Sequence, residues 1–331
     1  IQTVQLGNTT LVAGKPAFAR AGIAFTGTDP GVEFDGIMRV FVDGVEAADS
    51  PIYSDNGPIA PPTQTHPLNP DASLNFIFLP PESDDVEFTF EINPSGPNQV
   101  FETNYGNNSA TTGSMEFICT GKMDVVYVPV DYRPSGGATP NLPDPDLIKP
   151  GVGDNFIQAI NPSEDTEYRA APPKLWTQSL SGTGSGLNNA LATDLALMVP
   201  QPDFIYGWVP GSLPYNGQAL GIPGVAAMGN TQTIRHQRTF AHELGHLYGL
   251  FHNSIQIFTV GVDVERHLNI TESLPLMKEP SLNDIMVPGL LTNQAWISET
   301  NYNFYINHAV HQCAQPAFGG DGNRLLVSGL W

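Results

Sequence analysis

Basic residues are scarce in this chain of 331 residues, which has 13 lysines and arginines, 33 aspartates and glutamates, and a formal net charge of −20. An electrostatic field of this sign repels nucleic-acid phosphates and anionic membrane surfaces. We therefore expect neither nucleic acid nor acidic lipid as a partner. Most of the acidic side chains are expected to be solvated surface groups.

Long apolar runs are also missing. No apolar run approaches the roughly 18 residues that a membrane-spanning helix needs, and no charged-then-apolar leader opens the sequence. The sequence therefore predicts a soluble chain without a membrane-inserted segment.

Cysteine is rare, with Cys119 and Cys313 as the only two. An even number in a chain that we expect to be extracellular favours one disulfide between them. In the chain-entropy model, closing so long a loop stabilises a fold by roughly 4 to 5 kcal/mol.

Glycine and proline are abundant, with 33 and 30 residues, and they indicate a loop-rich chain with short strands. Residues 1–118 are predicted to form strands without helices, because short apolar, β-branched or aromatic segments alternate with turn residues. The predicted strands lie at 17–25, 36–42, 73–79 and 86–92. Such regular spacing predicts an all-β, immunoglobulin-like sandwich.

Residues 119–315 show a different pattern, in which strands alternate with helices. The nearly continuous apolar segment 122–130 predicts a buried first strand, and leucines spaced four apart predict a helix over 187–198. The other predicted elements are a short helix at 154–160, a strand at 204–209, and a terminal helix at 296–310 capped at Ser298. The sequence therefore predicts an α+β protein of two domains, followed by a tail at 316–331 that is expected to begin a further strand or domain.

The stretch from His242 to His252 carries the clearest chemical signal. His242 and His246 lie four residues apart, so both imidazoles of a helix face the same ion. Gly249 can end that helix in a left-handed conformation, and the turn lets His252 supply a third imidazole. Three protein ligands leave one position open, which is typical of catalytic zinc. Glu243 lies one step round the helix, where it can act on a zinc-bound water.

This helix is expected to begin near Thr231 or Thr233, whose hydroxyls can cap exposed amide groups, and to end at Tyr248. Its face opposite the histidines is apolar, so we expect that face to pack into the domain.

With these offsets, the sequence resembles the metzincin clan of zinc endopeptidases, whose pattern is His-Glu-x-x-His-x-x-Gly-x-x-His followed by a methionine-containing turn. The resemblance implies that Met286, in the segment 283–289, is the apolar floor beneath the three imidazoles. Met277 is the competing candidate. It is disfavoured because Lys278 and Glu279 follow it and suit an exposed loop.

The resemblance also implies a zincin fold, with a mixed twisted sheet and a zinc helix, and an extended peptide substrate. In that fold, the segment 224–229 is the edge strand of the cleft. Val225, Ala226 and Ala227 are therefore expected to pair with the substrate backbone.

The Met-x-Pro sequence at 286–288 resembles the matrixin and adamalysin turns. This likeness implies that Pro288, Gly289 and Leu290 form the wall of the pocket beyond the scissile bond, with an apolar residue preferred just after that bond. Pro288 stands where astacin-like and serralysin-like members carry a zinc-binding tyrosine, so no fifth protein ligand is expected. Asn253, directly after the third histidine, matches no family-specific residue.

The implied function is that of a secreted, zinc-dependent endopeptidase that acts on proteins or peptides. Glu243 is expected to take a proton from the zinc-bound water and to return it to the leaving amine. No covalent intermediate is required.

The phrases Val12–Arg20 and Val100–Ser109 resemble the opening strand and closing hairpin of bacterial adhesion-type Ig-like modules. That likeness implies an accessory or spacer role for residues 1–118. Asp84 and Asp85 are candidates for structural calcium, although a solvated loop is the favoured interpretation.

Two other functions stay open. One is an extracellular adhesion or binding protein with a vestigial zinc site, which the presence of Glu243 disfavours. The other is a latent precursor, in which residues 1–118 are inhibitory and Cys119 caps the zinc as a thiolate.

Overall fold

The computed structural model describes residues 10–23, 31–62, 66–258, 260–264 and 277–313. Over these residues the protein is a mixed α+β structure, as the sequence predicts. The strands before residue 119 are β1 (Leu11–Val12), β2 (Ala17–Ala21), β3 (Gly36–Val42), β4 (Val45–Glu46), β5 (Ile52–Tyr53), β6 (Leu74–Phe78), β7 (Ser83–Ile92), β8 (Ser109–Thr111) and β9 (Met115–Ile118). The later strands are β10 (Met123–Tyr132), β11 (Thr166–Ala170), β12 (Lys174–Trp176), β13 (Phe204–Val209), β14 (Gly217–Ala219), β15 (Ala226–Asn230), β16 (Gly261–Val262), β17 (Met277–Lys278), β18 (Asn283–Asp284) and β19 (Ala295–Trp296). The α-helices are α1 (Pro145–Ile148), α2 (Asn155–Ile160), α3 (Ser185–Ala196), α4 (His236–Tyr248) and α5 (Glu299–Ile306).

The first nine strands form a seven-stranded sheet and a separate pair. The sheet has the order β1-β9-β7-β3-β4, with β5 on β3 and β8 on β7, while β2 pairs with β6. Two alternate residues of β7, Val86 and Phe88, are buried, and Phe88 packs edge-on against Phe78 of β6 with ring centroids 5.1 Å apart. Burial of one face of each strand therefore builds an apolar core between the two sets of strands.

The strands predicted at 36–42, 73–79 and 86–92 are confirmed. The strand predicted at 17–25 ends at Ala21, and residues 24 and 25 lie outside the described part of the chain. A single 3-10 turn at Pro70–Ala72 interrupts the expected run of strands in the described residues before Cys119. Asp84 and Asp85 belong to β7, so the favoured interpretation of a loop is wrong.

The segment from Val100 to Ser109 is not the predicted hairpin, because residues 100–108 form a loop and only Ser109 belongs to a strand, β8. Asn93 is the cause, because its side chain accepts from the Val100 amide at 2.7 Å and donates to the Val100 carbonyl at 2.8 Å. These contacts occupy the backbone groups that strand pairing would use. Regular pairing with β7 begins only at Ser109.

The sheet beyond Cys119 has the order β11-β10-β13-β15-β14, with β12 also on β10. All of its pairs are parallel except β14 with β15, which is antiparallel. The predicted first strand is confirmed as β10, which has partners on both sides and is buried along most of its length. Its near-continuous apolar sequence is what a strand covered on both faces requires.

Helices cover both faces of this sheet. In β13, Tyr206 and Trp208 face a core shared with α2 and α4, while Ile205 and Val209 face a second core shared with α3. The period-2 alternation of strand side chains thus divides the sequence between two layers. None of the helices over the described residues is both long and apolar enough to span a membrane.

The predicted helices are present with shifted ends. The helix at 154–160 is confirmed as α2, and the helix predicted at 187–198 is α3. The terminal helix α5 is shorter than predicted, but its cap is as expected, because the Ser298 side chain accepts from the Asn301 amide at 3.3 Å. The tail at 316–331 lies outside the described residues.

The disulfide between Cys119 and Cys313 is confirmed, with the two Cα atoms 6.0 Å apart. It joins the residue directly after β9 to the segment after α5. The bond leaves no thiolate at Cys119, so the interpretation of Cys119 as a metal cap is wrong.

The early strands also contact the later part of the chain. The ammonium group of Lys15, which is buried, donates to the Gln158 carbonyl at 2.7 Å. Phe18 packs with Val262 and Met277 in a small apolar cluster. The expectation that Met277 lies in an exposed loop is wrong, since the neighbouring Lys278 is buried with its ammonium group 3.2 Å from Asp263.

Candidate metal centre

Helix α4 carries two of the predicted ligands and begins later than expected. Its N-cap is Arg235, which makes no side-chain cap, so the expected caps at Thr231 and Thr233 are wrong. The amide and hydroxyl of Thr231 both donate to the Val209 carbonyl, which keeps Thr231 with the sheet. Thr233 is exposed before the helix.

The other end of α4 agrees with the sequence. Gly249 has φ 111° and caps the helix in the left-handed region, where a side chain would be strained. The Leu250 amide then donates to the Gly245 carbonyl at 2.9 Å, which turns the chain back toward the helix. This turn brings His252 beside the two helical histidines.

The three histidines converge on one point. The Nε2 atom of His252 lies 3.0 Å from Nε2 of His242 and 3.2 Å from Nε2 of His246. His242 and His246 are buried, whereas His252 is exposed at the mouth of the site. The convergence point of the three imidazoles is therefore open to solvent on the side of His252.

The opposite ring nitrogens determine the tautomers of the helical pair. Nδ1 of His242 lies 2.8 Å from the Ile285 carbonyl, and Nδ1 of His246 lies 2.7 Å from the Leu250 carbonyl. A carbonyl oxygen only accepts, so Nδ1 carries the hydrogen and Nε2 presents its lone pair to the convergence point. Burial, followed by the positive charge of Arg238, lowers the pKa of His242 to about 2. Burial also lowers the pKa of His246, so both imidazoles are neutral at pH 7.

These properties suit a divalent metal ion. Zinc bound tetrahedrally at ~2.0–2.1 Å separates its ligand nitrogens by about 3.3 Å, close to the two observed distances. Within the described ranges, this trio is the one group of three or more potential ligand side chains close enough to share an ion. No comparable acidic cluster is found there for calcium, and Asp84 and Asp85 belong to none.

Glu243 is buried between α4 and the edge of the sheet. Burial raises the pKa of its carboxyl to about 8, while the charge of Arg238 and the Ala219 amide act in the opposite direction. The Ala219 amide belongs to β14 and donates to this carboxyl. A β-carbon at Gly217 would lie 2.8 Å from Oε1 of Glu243, so only glycine allows the strand this close.

The edge strand of the sheet is β14, not the predicted segment 224–229. That segment forms β15, which lies between β13 and β14. Ala226 and Ala227 are fully buried inside the sheet, and Val225 precedes the strand with 43% of its surface exposed. The sequence of β14, Gly-Gln-Ala, has no β-branched or aromatic residue, so no strand signal could have indicated it.

The backbone groups of β14 alternate in direction. The Leu220 amide donates to the Ala226 carbonyl at 2.9 Å, and the Asn230 amide donates to the Asn216 carbonyl at 2.9 Å. In an antiparallel ladder, residues between such pairs turn their amides and carbonyls away from the partner strand. Gly217 and Ala219 therefore direct their backbone groups outward, toward Glu243.

Met286 lies under the helix that carries the histidines. Its Sδ atom is 2.5 Å from the position of a β-carbon at Gly245, and Met286 is fully buried. The buried guanidinium of Arg238 donates to the carbonyls of Ile285 and Val287. The methionine segment is thus attached to α4 one turn before His242.

The residues after Met286 extend the surface beside the histidines. Pro288 and Gly289 are exposed, and Gly289 has φ 80°. Leu290 is half-buried and packs against the apolar core that β13 shares with α2 and α4. The Thr292 amide donates to the Ile234 carbonyl at 3.2 Å, which holds this segment against the start of α4.

A buried carboxyl group that no sequence pattern indicated connects the third histidine to the methionine segment. Asp284 Oδ1 accepts from the Asn253 side chain at 3.1 Å, from the Met286 amide at 2.8 Å, and from the Asn301 side chain at 2.7 Å. Its Oδ2 accepts from the Ser298 amide at 2.8 Å. Asn253 directly follows His252, so this network explains the residue that matched no family pattern.

Comparisons with known proteins do not assign the chain to a family. No family model matches the chain, and no curated protein matches it. Among solved structures, a chain described as "Structure of a chaperone-substrate complex" aligns over 70% of this chain at 12% identity, with a TM-score of 0.27. The alignment spans 38% of that structure's chain. A similarity at this level carries no argument about the fold or the function.

Proposed function

We propose that the protein is a secreted, zinc-dependent endopeptidase of the metzincin type. The observation that supports it is the placement of three imidazole nitrogens beside a buried carboxyl at an edge strand. A site that only stores or carries metal needs the imidazoles but not Glu243. The buried carboxyl is therefore the feature that favours an enzyme over a binding protein with a relic zinc site.

His242, His246 and His252 would hold the zinc ion through Nε2. Zinc supplies Lewis acidity toward a water molecule and toward the carbonyl of a scissile peptide bond. Glu243 accepts the proton of the attacking water and delivers it to the nitrogen of the leaving amine. A cation on the three histidines favours the charged form of the neighbouring carboxyl, which opposes the effect of burial on its pKa.

The peptide substrate would bind in extended form along β14. Gly217 directs its amide and carbonyl away from β15, and Ala219 directs its carbonyl the same way, so these groups offer the hydrogen bonds that β-augmentation uses. The Ala219 amide is already donated to Glu243. In this arrangement β14 takes the role predicted for Val225, Ala226 and Ala227, which lie before or inside β15.

Pro288, Gly289 and Leu290 would form one wall of the pocket that receives the residue just after the cleaved bond. Leu290 supplies an apolar surface, so we expect an apolar residue at that position of the substrate. A peptide-library cleavage profile tests this, and Leu290→Ala should weaken the preference. An acidic preference, or none, would show that the wall is assigned to the wrong segment.

The strands before Cys119 would form an immunoglobulin-like accessory module. Two sets of strands that enclose an aromatic core are compatible with a sandwich. We propose a spacer or adhesion role for this module, which contributes no residue to the metal centre.

The central experiment measures bound zinc and peptide hydrolysis on the same preparations. Glu243→Ala should keep zinc and lose on the order of 10²- to 10⁴-fold in kcat. His246→Ala should lose both zinc and activity, because two imidazoles hold zinc poorly.

Matched controls are Glu167→Ala, at an exposed position of β11, and His66→Ala, at an exposed position between β5 and β6, both expected to behave as the parent. A chelator should abolish hydrolysis, and added zinc should restore it. Hydrolysis by Glu243→Ala at the rate of the parent would refute the mechanism even with zinc bound.

A further inference from the structure

Arg235 directly precedes α4, at the end of the proposed cleft that lies nearest the Pro288–Leu290 wall. The side chain is half-buried, and its Nη1 atom donates to the Asn216 side chain at 3.2 Å. Asn216 directly precedes β14, and the neighbouring Ile234 carbonyl accepts from the Thr292 amide at 3.2 Å. The start of α4 therefore connects the beginning of the edge strand to the segment that follows the wall.

The direction of a bound peptide follows from contacts along α4. A β-carbon at Gly217, the first residue of β14, would lie 2.8 Å from Oε1 of Glu243. Gly224, which lies between β14 and β15, donates from its amide to the Leu247 carbonyl at 3.1 Å. β14 thus advances along α4 in the direction of the helix. Because the wall for the residue after the cleaved bond lies at the start of α4, the later residues of the substrate leave the cleft past Arg235.

The length of the helix indicates which substrate residues come near this arginine. Arg235 precedes Glu243 by eight residues, which is roughly 12 Å along the helix axis. An extended peptide advances roughly 3.3 Å per residue, so this length corresponds to roughly three to four substrate residues. The contact with Asn216 brings the guanidinium back toward Gly217. We therefore expect it beside the second or third residue after the cleaved bond.

The partners of Arg235 differ from those of the other basic side chains. Seven of the eleven lysines and arginines in the described ranges form an ion pair there with a carboxylate. Lys15, Arg20 and Arg238 donate to backbone carbonyls instead. Arg235 makes neither contact with the described residues, and its buried Nε atom finds no acceptor among them. Acidic residues outnumber basic ones by 33 to 13, so composition does not explain the missing carboxylate.

We propose that Arg235 binds an acidic side chain of the substrate, at the second or third position after the cleaved bond. A guanidinium donates charge-assisted hydrogen bonds to a carboxylate, which are stronger than its hydrogen bonds to a neutral amide. A half-buried ion pair is also less screened by salt than an exposed one. The position directly after the cleaved bond stays apolar, because Leu290 forms its wall. This selectivity rests on the proposed peptidase function.

The test compares peptides that differ only in having glutamate or glutamine at the second or the third position after the cleaved bond. The zinc-loaded parent should cleave the glutamate peptide with a kcat/KM roughly five- to tenfold higher, as expected for a hydrogen bond to a charged group. Arg235→Gln should lose this preference, and Arg235→Lys should keep part of it. Arg235→Glu should instead prefer a lysine at the same position of the peptide.

Arg169→Gln is the matched control, because Arg169 is exposed on β11, at the opposite edge of the sheet, and pairs with Asp124. Its preference for glutamate over glutamine should equal that of the parent. Equal cleavage of the two peptides by the parent at both positions would overturn the role of Arg235 while the peptidase function stands. An Arg235→Gln variant with the preference of the parent would do the same.

A parent that cleaves none of the peptides refutes the peptidase function and not, by itself, the site at Arg235. Fluorescence anisotropy of the labelled glutamate and glutamine peptides on the zinc-loaded protein then decides the site. Tighter binding of the glutamate peptide, lost in Arg235→Gln, supports it. Equal affinities, or no binding of either peptide, overturn it.

Discussion

The Sδ atom of Met286 occupies the space that a side chain at Gly245 would need, 2.5 Å from the position of its β-carbon. The hydroxyl of Tyr305 lies 3.1 Å from the same position. Gly245, which lies between the two helical histidines in sequence, is therefore a point of close approach between α4 and the methionine segment.

Gly245→Ala should destabilise the protein, although alanine normally stabilises a helix interior relative to glycine by about 1 kcal/mol. The added methyl group must displace a fully buried methionine, and overpacking of this kind costs about 1–3 kcal/mol. Denaturant unfolding of the apo and zinc-loaded forms measures the change.

Gly186→Ala in α3 is the control, because its β-carbon would meet atoms only at 3.4 Å or beyond. It should be neutral or slightly stabilising. Equal changes in unfolding free energy for the two substitutions would show that the contact with Met286 does not destabilise Gly245→Ala.

Asp284 should be important for both stability and metal binding. Asp284→Ala removes an acceptor that satisfies four buried or half-buried donors, and we expect a loss of about 4 kcal/mol in unfolding free energy. Asn253→Ala removes one of those contacts next to His252, so its main effect should be a zinc affinity lower by about tenfold.

Competition with a chromogenic chelator measures the zinc affinity of these variants. Asn307→Ala serves as the control, because the Asn307 side chain is exposed and donates only to the Asn303 carbonyl within the same segment. Unchanged zinc affinity in Asn253→Ala would show that this residue does not contribute to zinc binding.

Asp154 predicts a particular pH dependence of stability. Burial raises the pKa of its carboxyl to about 6, despite hydrogen bonds from the Gly151 amide and the Gln158 side chain. Between the unfolded pKa near 4 and the folded pKa near 6, the folded state holds a proton that the unfolded state has lost. The contribution of Asp154 is therefore complete below pH 4 and declines by about 3 kcal/mol as the pH rises to 6.

Asp154→Asn has no such titration. The difference in unfolding free energy, variant minus parent, should rise by about 3 kcal/mol from pH 4 to pH 6 and then stay constant. Urea unfolding at several pH values tests this, and a difference independent of pH would contradict it.

The disulfide should stabilise the fold through the length of the loop that it closes. Cys119 and Cys313 are 194 residues apart, and the chain-entropy model gives about 5 kcal/mol as an upper estimate. The double serine variant should unfold at lower denaturant concentration by up to this amount. Its zinc content after folding should match the parent, because neither cysteine contacts the histidines.

The sequence by itself predicted the features that depend on short spacing. His242 and His246 lie on one helix, where 3.6 residues per turn places their side chains on the same face. Gly249 caps that helix, because a glycine can adopt the left-handed conformation that ends it. The α+β class and β10 followed from apolar patterns, and the disulfide followed from having two cysteines.

The tertiary structure decided the features that depend on the path of the chain. The order of strands places β14 outside β15, although β14 has the weaker strand signal, because sheet order depends on packing against α4 and not on local propensity. Asn253 and Asp284 are 31 residues apart, and Ala219 and Glu243 are 24 apart, so no periodicity relates them. Polar groups at such distances meet only where the packed core brings them together and leaves them no water to bind instead.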